Sequence, residues 1–230
     1  MGYIIVIEGT DGSGKRTQTE KLYNRLLSEG YNVRMQSFPN YDSPSASPVK
    51  MYLNGEFGSD DKSLDAYQAS SLYAVDRLCT YNKDLKNFYE NDGIIIFDRY
   101  VESNMLHQAG KIRDEIETDK FLDWLDELEF GTLKLPRANK VIFLDVPVEI
   151  SMNLAKARGE YKSSTEKDIH ESSEGHLINA YNSGKFVSKK YNWEVIDCVY
   201  NGEIRAIDDI AEKIYSRVIE DLRRTKWKLV

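Results

Sequence analysis

The chain has 230 residues, 41% of them hydrophobic, with 31 Lys and Arg against 38 Asp and Glu and a net charge of −7. That is long enough for one sizeable core, and the composition is not that of a disordered, collagenous or disulfide-rich chain, so one domain over 1–230 is expected. The acidic balance argues against nucleic acid as a partner, and without an apolar run near about 18 residues neither a signal peptide nor a membrane span is expected, which points to the cytoplasm.

In chain order, Tyr3 to Ile7 is an apolar strand that leads through Glu8 into Gly9-Thr-Asp-Gly-Ser-Gly-Lys15, and Arg16 to Leu27 reads as a helix. The spacing Gly-x-x-x-x-Gly-Lys directly after a strand is that of a phosphate loop: glycines let backbone N–H groups curl round an anion, a lysine adds charge, and the following helix points its N-terminus at the same place. Where Ser or Thr usually follows the lysine to hold Mg²⁺, this chain has Arg16, with Thr17 one place late. Tyr31 to Phe38 reads as a second strand. Phe38 to Pro48 holds three of the five prolines and is expected to be irregular; Val49 to Phe57 reads as a short helix, followed by a polar connection over 58–62.

From Ser63 to Glu90 the apolar residues recur at helical spacing, as one long helix or two in succession, with Tyr73 and Arg77 on one face. Ile94 to Phe97 is a continuous apolar run, the mark of a parallel strand buried on both faces, and it delivers Asp98-Arg99-Tyr100 at its carboxyl end. Ser103 to Lys111 and Thr118 to Phe130 read as helices, the second acidic on its outer face. Val141 to Leu144 is another buried strand, and a helix runs from Pro147 to about Ala157. Residues 158–168 lack an apolar period and read as a mobile surface segment. A helix from Ile169 to Tyr191, a strand over Glu194 to Asp197 and an amphipathic helix from Ile204 to Leu222 complete the chain. The expected architecture is α/β: an open, doubly wound, five-stranded parallel sheet with ligands at the carboxyl edge.

That edge would gather Asp11 and Lys15, Phe38 to Tyr41, Tyr73 with Arg77, and Asp98 with Arg99. Such a set suits phosphoryl transfer, which needs chiefly a metal and cations: Lys15 and Arg99 neutralise charge, Asp11 and Asp98 are candidate metal or metal-water ligands, and Tyr73 beside Arg77 offers an aromatic plane and a forked donor for a base. The bland readings are Asp98 as a helix cap, Tyr73 as core and Arg77 as a solvated charge. His107, His170 and His176 lack metal-ligand spacing and are given no metal or triad role, and Cys79 and Cys198, far apart, are expected as free thiols in or near the core.

Glu8-Gly-Thr-Asp-Gly-Ser-Gly-Lys15, Phe38-Pro-Asn-Tyr41, Tyr52-Leu-Asn-Gly-Glu-Phe57, Leu72-Tyr-Ala-Val-Asp-Arg77 and Asp98-Arg-Tyr-Val-Glu-Ser-Asn104 together resemble the thymidylate kinases, nucleoside-monophosphate kinases of the P-loop class, over nearly the whole chain. The resemblance implies ATP and dTMP as substrates, Mg²⁺ as cofactor, dTDP as product and a homodimer. It implies ATP binding by Gly9, Thr10, Gly12, Ser13, Gly14, Lys15, Arg16, Thr17 and Arg158, the last at the start of a lid over 158–168. It implies dTMP binding by Asp11, Phe38, Tyr41, Tyr73, Arg77, Arg99, Asn104 and His107, and catalysis by Lys15, Arg99, Asp98 and Asp11. Tyr73 stands where relatives usually have Phe, and His107, near the sugar, where they often have Tyr. Relatives often carry a catalytic arginine in the phosphate loop or the lid; here Gly12 and Ser13 occupy the loop and Gly159 to Asp168 lacks arginine, so Arg16, Lys162 and Lys167 are the candidate cations.

Two rivals remain at the sequence level. One is a P-loop kinase for another nucleoside or monophosphate. The other is a slow GTP-hydrolysing switch or an inactive binding module; the chain has Asn82-Lys83-Asp84 but no Asn-Lys-x-Asp after a strand.

Overall fold

The computed structural model describes residues 1–58, 60, 63–157 and 174–225. Strands β1 (Tyr3–Glu8), β2 (Val33–Ser37), β3 (Ile94–Asp98), β4 (Lys140–Asp145) and β5 (Glu194–Asp197) form one parallel sheet in the order β2-β3-β1-β4-β5. This is the α/β architecture expected. Tyr3 pairs with Ile94 and Ile7 with Asp98, so the end of β1 and the end of β3 arrive level.

The central strands are apolar throughout because both faces are covered. Ile5, Ile7, Ile94, Ile96, Ile142 and Leu144 pack against α1 (Lys15–Ser28) and α9 (Ile207–Arg224), chiefly through Leu22, Leu26, Ile214 and Val218. Ile4, Val6, Ile95, Phe97 and Phe143 face the other way, onto α5 (Glu102–His107), α6 (Glu115–Asp126) and α8 (Glu174–Lys190), meeting Met105, Leu106, Phe121, Leu122 and Val187. The period of two along each strand decides which helix layer each residue meets, and each fully buried aliphatic side chain contributes about 1.5–3 kcal/mol.

Several boundaries differ from expectation, each for a local reason. The proline-rich stretch is partly regular: Pro44–Ala46 form a 3-10 turn and α2 (Ser47–Leu53) starts at once, since Pro48 in a first turn forfeits no helical hydrogen bond. The long helical run begins at α3 (Ala66–Thr80), where Asp65 and Gln68 form a reciprocal capping box, and a π-helical turn over Tyr81–Leu85 separates it from α4 (Lys86–Glu90). That turn lets both Tyr81 and Leu85 face the core. A second π-helical turn, Glu127–Thr132, follows α6 and carries Glu129 inward to complete burial, although the sequence places it on an acidic outer face. An antiparallel hairpin, Val199–Tyr200 with Glu203–Ile204, takes up Ile204, so α9 starts three residues later than expected. Cys198 is buried, as expected of a core thiol, but Cys79 is exposed, because it faces out from α3 while Ala74 and Arg77 face in.

Among the described residues no helix is long and apolar enough to cross a membrane.

Candidate active site

The phosphate loop leaves β1 at Glu8 and enters α1 through Gly14, whose φ of 89° is left-handed and costs a glycine little. No side chain caps α1, so its first N–H groups remain available to an anion. Gly12 also has positive φ, 81°, and a Cβ there would run into the carbonyl of Ser151 in α7 (Val148–Ala157). Position 12 therefore has no room for a side chain.

Lys15 is 6% exposed; its Nζ donates to the Thr10 carbonyl at 2.8 Å and lies 3.7 Å from Asp11 Oδ1. Burial, with the nearby Arg99 charge, pulls its pKa down to about 8 against the opposing pull of Asp11, Asp98 and Glu8. Thr10 Oγ1 and Ser13 Oγ are buried without hydrogen-bond partners, and so is Asp98 Oδ1 at the end of β3. Three orphaned buried oxygens, two in the loop and one at the end of β3, are costly unless a ligand meets them.

Arg99 leaves the end of β3 with a φ of 68°, an uncommon conformation for a residue with a Cβ. Its guanidinium binds the Asp11 carboxylate, approaches His107 Nε2 at 3.0 Å and reaches Ser103 Oγ at 3.5 Å. Burial works against its charge, but Asp11, Glu8 and Asp98 outweigh that and hold it protonated more firmly than an ordinary arginine. Glu8, fully buried, accepts from Tyr100 N at 3.1 Å and from Ser103 Oγ at 2.8 Å, tying the end of β1 to the turn after β3. Burial pushes its carboxyl up, with Arg99 and Lys15 opposing.

Beside this cluster lies a cavity of about 160 Å³ lined by Asp11, Phe38, Tyr41, Tyr73, Arg77, Arg99, Asn104 and His107, together with Pro39, Leu53, Tyr100, Ser103 and Gln108. All eight residues that the resemblance assigns to dTMP thus stand round one space. Phe38 packs on Phe97 and Tyr100 at centroid distances of 5.4 and 6.0 Å, so it is both core and pocket wall. The loop after it is held to α3: Asp76, 1% exposed, accepts from Asn40 N at 2.8 Å and from Ser45 Oγ at 2.6 Å. Arg77 is not a solvated charge. It is 1% exposed, ion-paired with Glu129, and donates to the Tyr100 carbonyl at 3.3 Å.

A family model described as thymidylate kinase matches residues 7–195. This chain belongs to the thymidylate kinase family. Among curated relatives, a thymidylate kinase of Mycobacterium tuberculosis is 30% identical over 169 residues, 73% of this chain and 77% of that one. A thymidylate kinase of Thermomicrobium roseum is 27% identical over 227 residues, 97% and 98% of the two chains, and a probable thymidylate kinase of Pyrococcus horikoshii is 30% identical over 158 residues, 69% and 72%.

Within this thymidylate kinase family member the structure separates some residues that the sequence groups. Arg16 is 85% exposed at its side chain and pairs with Glu20 at 2.9 Å on the outer side of α1, bordering a shallow recess with Asp98, Arg99 and Phe38. Arg158, the lid over 158–168 with Lys162 and Lys167, and His170 lie outside the described residues. Four contributors were given no role by the sequence: Glu8 and Asp76, although both lie inside quoted motifs, and Glu129 and His176, which lie outside them. Each is a polar residue in an apolar or helical stretch, and its partner lies far away in the chain.

Proposed function

We propose that this thymidylate kinase family member transfers the γ-phosphoryl group of ATP to dTMP, giving dTDP and ADP. The observation that carries the reading is a cavity in which Asp11 and Arg99, beside the phosphate loop, face Tyr73, Phe38 and Asn104 across one small space. A phosphate oxygen of dTMP attacks the γ-phosphorus, the bond to the β,γ-bridging oxygen breaks, and ADP leaves with that electron pair. Lys15 and the first N–H groups of α1 hold the donor phosphates. Arg99, fixed by Asp11 and His107, meets charge as it spreads over the transferred group.

Tyr73 stacks on the thymine, with Phe38 and Tyr41 along the nucleoside. A guanidinium has five N–H donors; on Arg77 the bonds to Glu129 and Tyr100 engage three, leaving two for an exocyclic oxygen of the base. Asn104, 2% exposed with an unpartnered Nδ2, supplies a further donor into the same cavity.

Mg²⁺ is the proposed metal. The orphaned, buried Oδ1 of Asp98 is a hard oxygen donor of the kind Mg²⁺ takes, and among the described residues no group of three or more His, Cys, Asp or Glu offers a complete cage. Asp98 would hold the ion, with Asp11 within its water shell and substrate phosphates completing the set; when bound, it supplies positive charge to the donor phosphates. Residues 1–230 are read as one kinase domain, supported by the one sheet that carries both loop and cavity. The cytoplasm and a homodimer are proposed on the family resemblance, and light scattering on the purified chain tests the second.

The deciding experiment is a coupled ATP and Mg²⁺ assay with dTMP, dUMP, dCMP, UMP, GMP and thymidine, each beside a control without acceptor. Clear preference for dTMP is expected. Preference for another acceptor supports a different monophosphate kinase, and ADP release independent of acceptor rejects the transferase reading.

A further inference from the structure

A chain of polar contacts runs from the phosphate loop across the site to α8. Asp11 binds Arg99; Arg99 Nη1 lies 3.0 Å from His107 Nε2; His107 Nδ1 lies 3.1 Å from His176 Nε2. The two imidazole planes are 15° from parallel with centroids 5.4 Å apart, and the rings are 8% and 3% exposed. They sit on helices that pack directly together, α5 and α8, where Ser183 Oγ also donates to the Met105 carbonyl at 2.7 Å.

Chemistry sets the direction of these contacts. A guanidinium nitrogen only donates, so His107 Nε2 must accept, which places the His107 proton on Nδ1 and directs it at His176 Nε2. His176 Nε2 then accepts. His107 and Arg99 line the cavity, whereas His176 is not among its lining residues.

We propose that His176 is a positioning residue for phosphoryl transfer. By accepting from Nδ1–H it selects the His107 tautomer that can receive Arg99, and it holds the ring at the angle that presents Nε2 to the guanidinium. Asp11 binds Arg99 through the other terminal nitrogen, Nη2, so the cation is held by both a carboxylate and an oriented imidazole rather than tethered by one contact. Arg99 needs such a clamp: a small misplacement of a group that meets the transferred phosphoryl costs rate steeply, up to about a hundredfold for about 1 Å. The assignment rests on the dTMP phosphorylation reading and adds a residue outside the cavity to it.

Three variants of the full chain test this: His176→Ala, His176→Gln and His176→Leu, with rates expressed per folded molecule from urea titration. His176→Ala is expected to lower kcat/KM for dTMP about tenfold while KM for ATP stays within about twofold. Gln carries an acceptor oxygen that can meet His107 Nδ1–H, so His176→Gln is expected to recover most of the loss. Leu fills the space without an acceptor, so His176→Leu should remain as slow as His176→Ala. If Leu restores turnover, or if all three variants match the parent, His176 merely packs and the positioning role is rejected. Heteronuclear NMR of the imidazole nitrogens gives a readout independent of turnover: the parent should show His107 in the Nδ1–H form, and an averaged mixture of tautomers rejects the assignment. A parent protein inactive on dTMP would reject the phosphorylation reading itself and this role with it, whereas an active parent with unaffected variants rejects only the role of His176.

Discussion

Arg77 and Glu129, 52 residues apart in the chain, form an ion pair whose side chains are 2% and 0% exposed, with Arg77 Nε donating to Glu129 at 3.2 Å as a second bond of the fork. The pair joins α3 to the π-helical turn after α6 and aims Arg77 along one wall of the cavity. Burial opposes the Arg77 charge, but Glu129 more than compensates and keeps the guanidinium protonated more firmly than usual. Truncating one partner of a buried pair leaves the other charge unmatched, which typically costs about 3–5 kcal/mol. Glu129→Ala is therefore expected to lose that much in urea denaturation and to raise KM for dTMP, while Glu129→Gln, which keeps an acceptor and the shape, should lose less. Equal stability of the Ala variant and the parent would show that Arg77 finds another partner.

Lys15 predicts a pH dependence that differs between free and occupied enzyme. Its pKa in the free chain is about 8, so the ammonium that greets the donor phosphates is lost as pH rises through that value. Because kcat/KM reports the free enzyme, kcat/KM for ATP should fall on the alkaline side near pH 8. A bound polyphosphate restores the charge, so kcat itself should hold to higher pH. Rate profiles at saturating and limiting ATP separate the two, and a kcat that falls in step with kcat/KM would count against the assignment.

Glu102 predicts the sign of a stability change. It is 5% exposed, with Oε2 unpartnered, and burial pushes its carboxyl from 4.5 up to about 8, with Glu8 and Glu129 adding to the rise. A group whose folded pKa lies above its unfolded value contributes its stability in full below pH 4.5 and loses it as pH rises to about 8. Glu102→Gln removes that titration. Its urea midpoint should match the parent below pH 4.5, draw ahead as pH rises, and exceed it most above pH 8, where the parent must bury a carboxylate. Parallel curves for the two proteins would mean that Glu102 is neutralised by other means.

Asp98 predicts a metal dependence. Its Oδ1 is buried without a partner, and Asp98→Asn preserves the shape while removing the anion. Activity in the variant should require at least about tenfold more Mg²⁺ for half-maximal rate, a change of about 1.4 kcal/mol in ion affinity, with folding stability equal or higher. An unchanged Mg²⁺ titration would move the metal to the phosphates alone.

The sequence by itself determined the sheet, the phosphate loop and the delivery of Asp98 and Arg99 to its edge, because these are local matters. Apolar runs mark buried strands, glycines at 12 and 14 mark positive φ, and the carboxyl end of a parallel strand has one place to point. It also named the residues round the cavity, since recurring motifs carry them. What only the tertiary structure decided is who holds them in place. Glu129 reads as one acidic residue among several until a π-helical turn rotates it into the core to meet Arg77. His107 and His176, 69 residues apart, carry no spacing that pairs them; the packing of α5 on α8 does. Arg16, adjacent to Lys15 in sequence, faces solvent because successive residues on a helix point about 100° apart, so the loop lysine turns inward and its neighbour does not. Periodicity in a sequence reports which face is buried, but a polar side chain's partner across that burial is chosen only when the elements dock.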